Sequence, residues 1–214
     1  MTNLKLRREI IATALAMNEL RINRGKSGNV SARVAGGFLV TPSGLAYEST
    51  QPEDIVAVSL DGKATGRRAP SSEWRFHRDI YAARPEVGGI VHAHSSFATT
   101  LACLGRGIPA FHYMIAVAGG PDIRCAPYAT FGTQELSDVA LAALEGRRAC
   151  LLANHGMIAV GESSRAALAL AVEVEALAEQ YWRALQIGKP TVLSEAEMER
   201  VLEKFKTYGR SRDA

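Results

Sequence analysis

Hydrophobic residues recur at steps of three and four along the start of the chain and predict a helix over residues 3–24. Basic residues at its end suit the negative end of the helix dipole, and Gly25 provides a stop. Short apolar runs at 30–34 and 38–41 flank a glycine pair, which predicts a β-hairpin. The run at 56–60 predicts a further strand, which an Asp-Gly turn closes.

The middle of the chain alternates between helical and strand-like segments. Ser71 or Ser72 can cap a helix that runs to about Ala83, where Arg84-Pro85 ends it. The residues between 104 and 128 show no clear period, and we expect a looser region there. The other elements predicted here are a strand over 87–94, a helix over 95–104, a helix from 132 to 144, and strands over 149–153 and 157–160.

The last third of the chain is predicted to be helical. Ser163 or Ser164 begins one helix that ends at Gly188, and Ser194 with Glu197 forms a capping box for the next. The order of elements fits a sheet flanked by helices in a single α/β domain over residues 1–214. The apolar stripes of the two helices are Leu170, Val174, Leu177, Tyr181 and Leu185, and then Met198, Val201, Leu202 and Phe205.

Composition excludes several classes of partner. Hydrophobic residues make up 47% and charged residues 22% of the 214 positions, and the net charge of +3 comes from interspersed signs. Nucleic-acid binding would need a concentrated basic patch, and no apolar run approaches the roughly 20 residues of a membrane span. The three cysteines are not spaced as metal pairs, and the first residues form no apolar signal segment. We therefore predict a soluble cytoplasmic protein that binds neither nucleic acid nor membrane.

The histidines give the first indication of chemistry. His92 and His94 are two residues apart in a predicted strand, so their side chains should project from the same face. His155, after a buried strand, can supply a third imidazole, and three ligands with an open position are typical of catalytic zinc. Taken alone, the spacing of His92 and His94 is equally compatible with two histidines that only form hydrogen bonds. His77 and His112 are weaker candidates, and we expect His77 to be structural.

Three polar segments can complete such a site. Ser71-Ser72-Glu73 lies at a predicted helix start, where hydroxyls and free N–H groups bind anions. Glu73 is either a surface carboxylate that suits the helix dipole or a ligand or base beside the metal. The small and polar residues of 25–31 and 41–44 suit backbone contact with a phosphate, although plain turns explain them as well.

Taken together, these segments resemble the class II aldolase and adducin family. The similarity runs from the first helix nearly to the C-terminus, and within the family the chain looks most like the aldolases that act on L-fuculose 1-phosphate. The segments that carry it are GNVS at 28–31, TPSG at 41–44, PSSEWRFH at 70–77, HAH at 92–94, IPAFHYMIA at 108–116, CAPYATFGT at 125–133, NHG at 154–156 and LEKFKTYG at 202–209.

The resemblance implies a three-layer α/β domain whose central, mostly antiparallel sheet is flanked by helices. It implies one Zn²⁺ per subunit, or another divalent transition metal, with His92, His94 and His155 as ligands. Glu73 would be the fourth ligand in the resting enzyme and the acid and base once substrate displaces it.

The resemblance also implies a homotetramer with active sites at the subunit interfaces. Tyr113 of a neighbouring subunit would handle the proton on the aldehyde oxygen, and Tyr208 would close over the site. Phe131 would line the aldehyde end of the substrate. The residues implied for binding the substrate phosphate are Gly28, Asn29, Ser43, Gly44, Ser71 and Ser72.

The activity that the resemblance implies is retro-aldol cleavage of a deoxyketose 1-phosphate. The products would be dihydroxyacetone phosphate and an aldehyde such as lactaldehyde. Cleavage of 5-methylthioribulose or 5-deoxyribulose 1-phosphate by the same chemistry is an alternative. A second alternative is a zinc epimerase, dehydratase or decarboxylase of the same family. The third alternative is a non-catalytic adducin-like module.

Overall fold

The computed structural model describes residues 2–207, which contain six α-helices and eight β-strands. The helices are α1 (Leu4–Glu19), α2 (Trp74–Ala83), α3 (Ser96–Cys103), α4 (Gln134–Leu144), α5 (Ser164–Ile187) and α6 (Glu195–Phe205). The strands are β1 (Asn29–Val34), β2 (Gly37–Val40), β3 (Val56–Ser59), β4 (Ala64–Thr65), β5 (Gly89–Ala93), β6 (Arg124–Ala126), β7 (Ala149–Leu152) and β8 (Gly156–Gly161).

The strands form one sheet in the order β4-β3-β2-β1-β5-β8-β7-β6. Neighbouring strands are antiparallel except β6 and β7, which are parallel, so the prediction of a mostly antiparallel sheet is confirmed. Strand β5 lies in the middle, between β1 and β8. His92 of this strand pairs in register with Asn29 on one side and with Ile158 on the other.

Alternation along the strands divides the core into two layers of side chains. Val30 and Val91 pack on one face of the sheet, in a cluster that includes buried residues of α1, α3 and α5. Phe38 and Ile90 pack on the opposite face, against buried residues of α2 and α4. The result is the predicted three-layer arrangement. Because His92 follows Val91 in β5, its side chain lies on the α2 face.

Two predicted helix ends are wrong. Helix α1 ends at Glu19 instead of residue 24, because Arg21 has a left-handed φ of 59° and the N–H groups of Ile22 and Asn23 both bond to the Met17 carbonyl. Helix α2 begins after an N-cap at Glu73, and neither Ser71 nor Ser72 caps it.

The short strands β4 and β6 were not predicted, because two or three residues carry too little periodicity.

Among the helices of residues 2–207, none combines the length and the apolar composition that crossing a membrane requires.

Candidate functional site

The predicted histidine pair lies where the central strand ends. His92 is in β5 and fully buried, and His94 follows the last strand residue, Ala93. Their Nε2 atoms are 2.9 Å apart, so the two imidazoles lie on the same face, as the two-residue spacing predicts. The carbonyl of Met157, on the neighbouring strand β8, lies 2.9 Å from His92 Nδ1.

The turn between β7 and β8 brings in the third histidine. Asn154 has a left-handed φ of 56°, a conformation that Asn tolerates better than most residues, and it leads directly into His155. The ring of His155 is centred 4.8 Å from that of His92 and 5.0 Å from that of His94. Gly156 is required beside them, because a Cβ there would lie 2.5 Å from the Ala93 carbonyl oxygen and 2.8 Å from His94 Cδ2.

These side chains fit a metal ion. A carbonyl oxygen only accepts, so His92 donates from Nδ1 to Met157, which leaves the Nε2 lone pair directed into the cluster. One ligand nitrogen from each of the three histidines lies within 4.8 Å of the others. Glu73 Oε1 is buried and accepts no hydrogen bond, although it is only 3.1 Å from His155 Nε2. A buried oxygen and a ring nitrogen at that distance without a hydrogen bond fit two ligands that share one cation.

Glu73 is ionised in this setting. Burial raises the pKa of its carboxyl group, but His92 and His155 outweigh burial and hold that pKa well below its usual range. Burial lowers the pKa of His94 to about 4, and His92 and His155 add to the effect. For His92, burial acts downward but the Glu73 carboxylate outweighs it and raises the pKa. The site therefore holds one buried negative charge next to three imidazoles. This combination of a carboxylate and nitrogen donors suits the charge of a divalent cation.

The segments predicted to bind phosphate meet at the start of α2. The Ser71 N–H donates to the Thr41 carbonyl at 3.0 Å, and the Ser43 N–H donates to the Ala69 carbonyl at 3.0 Å, so the two turns are joined. Lys26 Nζ donates to the Gly44 carbonyl at 2.8 Å and adds a positive charge at this edge. Gly28 packs so closely that a Cβ would lie 2.5 Å from the His92 carbonyl oxygen.

A pocket of about 270 Å³ opens beside Glu73, His94 and His155. Phe131 lines it and is 65% exposed, and its role at the aldehyde end of a substrate stays a prediction. Tyr128, also on the pocket, is 61% exposed and was not predicted from the sequence. The lining residues are Ser27, Ser72, Glu73, His94, Tyr128, Ala129, Phe131, Asn154 and His155.

Tyr113 of the predicted site lies apart from this pocket. Tyr113 is 52% exposed and lines a separate groove of about 730 Å³ together with Phe205. Its contribution from a neighbouring subunit stays a prediction. Tyr208 lies outside the described residues.

Glu175 of α5 supports the histidine turn and was missed in the sequence. Its carboxylate accepts from Ser95 Oγ at 2.6 Å and from the N–H groups of Phe97 and Ala98 at 2.8 and 2.9 Å. It thus satisfies the free N–H groups at the start of α3, immediately after His94. The separation of 80 residues between Ser95 and Glu175 explains why no local pattern reveals this contact.

We expect the substitution Glu175→Gln to lower the free energy of unfolding by about 1–3 kcal/mol, because the amide turns one acceptor into a donor that faces an N–H group. Chemical denaturation measures this. Glu173→Gln on the same helix is the control, since the side chain of Glu173 forms no hydrogen bond within residues 2–207. Equal stability of the two variants would contradict the assignment.

Comparison with known proteins places these features in a larger group. Residues 8–182 match the family model described as the class II aldolase and adducin N-terminal domain. The matched range contains the three histidines, Glu73 and the turns beside them.

Individual relatives match over nearly the whole chain. A 5-methylthioribulose-1-phosphate/5-deoxyribulose-1-phosphate aldolase from Rhodospirillum rubrum is 60% identical, over 97% of this chain and 94% of its own. An L-fuculose phosphate aldolase from Escherichia coli is 50% identical, over 96% of each chain. A solved structure of an L-fuculose 1-phosphate aldolase superposes with a TM-score of 0.93 at 42% identity, covering 96% of this chain and 98% of its own.

Proposed function

The chain belongs to the class II aldolase and adducin family, and from this premise we propose that it cleaves a deoxyketose 1-phosphate to dihydroxyacetone phosphate and an aldehyde. The family and the aldolase class follow from the match over residues 8–182 and from relatives at 50% identity and above. The observation that carries the proposal is the buried Glu73 carboxylate. It faces three converging imidazoles and adjoins two joined turns that suit a phosphate.

We propose zinc as the metal, with His92, His94, His155 and Glu73 as its ligands. When bound, the ion would supply Lewis-acid polarisation of the ketone and its neighbouring hydroxyl oxygen. The neutral imidazoles keep most of the positive charge of such an ion available. Another divalent transition metal suits the same nitrogen and oxygen donors.

In the proposed reaction Glu73 carries a proton to the substrate. Cleavage removes the proton of the C4 hydroxyl, breaks the C3–C4 bond and leaves the electron pair on C3. Glu73, which is ionised at rest, takes up one proton when the substrate binds and gives it to C3 to form dihydroxyacetone phosphate. The proton removed from the C4 hydroxyl returns to solvent, so no net proton is consumed. Tyr113 of a neighbouring subunit is proposed to handle the C4 hydroxyl proton. An unperturbed tyrosine, with a pKa of about 10, is a weak base, so the surrounding site must favour this transfer.

The phosphate is proposed to bind at the joined turns. Backbone N–H groups and hydroxyls of small residues form hydrogen bonds to phosphate oxygens, and Lys26 supplies a nearby cation. Asn29 has two amide N–H groups and gives only one of them to Glu73. Binding energy from this remote group would hold the reacting carbons in place. The proposed residues are Gly28, Asn29, Ser43, Gly44, Ser71 and Ser72.

The quaternary structure is part of the proposal. The exposed Tyr113 lies on a groove separate from the Glu73 pocket, so a single chain does not bring the two together. A homotetramer with active sites at subunit interfaces would supply Tyr113 and Tyr208 from neighbours. A cytoplasmic location remains the sequence-based prediction.

Two substrate types stand side by side in the proposal. L-fuculose 1-phosphate would release lactaldehyde, and the named substrate of the Escherichia coli relative supports it. The named substrates of the Rhodospirillum rubrum relative, at 60% identity, support 5-methylthioribulose and 5-deoxyribulose 1-phosphate. All share the ketose 1-phosphate end, and they differ at the aldehyde end. We propose that Phe131 and Tyr128, which are exposed on the pocket, contact that end.

A substrate panel tests the proposal. We expect the zinc-loaded protein to release dihydroxyacetone phosphate from one or more of L-fuculose, 5-deoxyribulose and 5-methylthioribulose 1-phosphates. A coupled assay for this product, run with and without a chelator, gives kcat/KM for each. Epimerised, dehydrated or decarboxylated products without dihydroxyacetone phosphate would contradict the aldolase proposal. Binding without turnover would favour an adducin-like module.

A further inference from the structure

A continuous row of buried hydrogen bonds leads away from Glu73 beneath α2. Asn29 Nδ2 lies 3.0 Å from Glu73 Oε2, and Asn29 Oδ1 lies 2.5 Å from His77 Nε2. On the other edge of the imidazole, His77 Nδ1 lies 2.7 Å from Ser31 Oγ, which is 2.8 Å from the Tyr81 hydroxyl. His77 and Ser31 are 0% exposed, and each of the other three residues is no more than 5% exposed.

The direction of each bond follows from what each atom can do. The ionised Glu73 carboxylate only accepts, so the nitrogen of the Asn29 amide must face it and the oxygen must face His77. His77 therefore carries its proton on Nε2. Burial lowers the pKa of His77 to about 3, with His92 adding to the effect and Glu73 opposing it, so the ring is neutral. The unprotonated Nδ1 then accepts from the Ser31 hydroxyl.

Every bond in the row thus donates toward Glu73, starting from the Tyr81 hydroxyl, which donates to Ser31. A buried network in which each donor and acceptor has one compatible partner has a single low-energy arrangement. If the Asn29 amide turned over, its oxygen would face the carboxylate and its nitrogen would face the His77 N–H group. Both contacts would be repulsive.

We propose that His77 is a positioning residue for catalysis: through Asn29 it fixes the Glu73 carboxylate in the orientation that the reaction uses. This inference rests on the proposed function for the role of Glu73 as acid and base. His77 itself touches neither the substrate pocket nor the three other histidine rings of the cluster through any hydrogen bond in residues 2–207.

The packing around His77 fits this role. The ring is stacked on Phe76, with centroids 4.6 Å apart, and on Phe38 at 6.2 Å. These contacts fix the plane of the imidazole, so its two nitrogens point at Asn29 and Ser31. Helix α2 also carries Tyr81 one turn further along, four residues from His77. The helix that begins at Glu73 therefore supplies both ends of the row.

A pair of substitutions separates positioning from packing. His77→Gln places an amide nitrogen near the position of Nε2 and can still donate to Asn29, whereas the shorter His77→Asn reaches only the Ser31 side. Both remove the ring that stacks on Phe76 and Phe38, so a purely structural role predicts similar losses. We expect kcat of the zinc-loaded His77→Asn variant to fall about 10- to 100-fold and that of His77→Gln to stay within about threefold of the unaltered protein.

Equal losses in the two variants, or normal kcat in His77→Asn, would overturn the proposal. Denaturation midpoints and zinc content are measured for both variants, so that kcat is compared only in folded, loaded protein. Ser31→Ala extends the test along the row, with Ser164→Ala as its control, because both serines are 0% exposed and hydrogen-bonded. We expect a several-fold lower kcat only for Ser31→Ala.

A measurement that does not depend on turnover tests the hydrogen-bond row through His77 separately from the proposed aldolase activity. Nitrogen-15 NMR of the metal-free protein, labelled at histidine, reports which ring nitrogen carries the proton. We expect His77 to be neutral and protonated on Nε2. A proton on Nδ1 alone, or on both nitrogens, would overturn the row of bonds even in an active enzyme. If the expected tautomer is found in a protein that cleaves no ketose 1-phosphate, the proposed function fails while the hydrogen-bond assignment stands.

Discussion

Replacing Glu73 with Gln is expected to leave the fold intact and to lower kcat by about 100-fold or more. The amide has nearly the same shape as the carboxylate, and its oxygen can still accept from Asn29. It cannot take up or release a proton at the substrate carbon, and it removes the negative charge that lies 3.2 Å from His92 Nε2 and 3.1 Å from His155 Nε2. Steady-state kinetics on zinc-loaded protein measure the loss.

The control for this substitution addresses the simpler interpretation of Glu73. A carboxylate at a helix start is commonly a partner for the helix dipole and has no chemical role. Glu135 is such a residue, exposed in the first turn of α4, and we expect Glu135→Gln to retain normal kcat. Near-normal cleavage by the Glu73→Gln variant would contradict its assignment as acid and base.

Local sequence patterns predicted the parts of the site that depend on short-range geometry. The two-residue spacing of His92 and His94 fixes their common face in any strand, and the structure confirms this. Helix α4 begins as predicted, since the Thr133 side chain accepts from the Leu136 N–H. The small residues at 28 and 156 mark places where strands approach too closely for a Cβ.

The hydrogen bonds that hold the site residues in place could not be predicted in this way, because they join residues that are far apart in sequence. Asn29 meets Glu73 across 44 residues, and Ser31 meets Tyr81 across 50. Strand register and the position of α2 above the sheet decide these contacts, and neither leaves a periodic signal. His77 shows the consequence. In the sequence it is one polar residue of a charged helix, whereas the fold buries it completely between Asn29 and Ser31.

The second large effect is expected at the metal. We expect His94→Ala to bind far less than the one zinc ion per chain expected of the unaltered protein, because it leaves two imidazoles and one carboxylate where four ligands would converge. Its activity should fall in parallel. Elemental analysis after dialysis measures the metal content, and the same preparations are assayed for release of dihydroxyacetone phosphate. Stoichiometric zinc in this variant would refute the ligand role of His94.

Two comparisons make the metal prediction specific to the cluster. His112 lies outside it, and its Nδ1 accepts from the Met114 N–H at 3.1 Å, so His112→Ala should keep its zinc. Treating the unaltered protein with a chelator should abolish cleavage, and added zinc should restore it, whereas His94→Ala should not recover at the same zinc concentration. Recovery of both proteins would mean that His92, His155 and Glu73 suffice to hold the metal. The buried Glu73 oxygen without a hydrogen bond would then be explained by those three ligands alone.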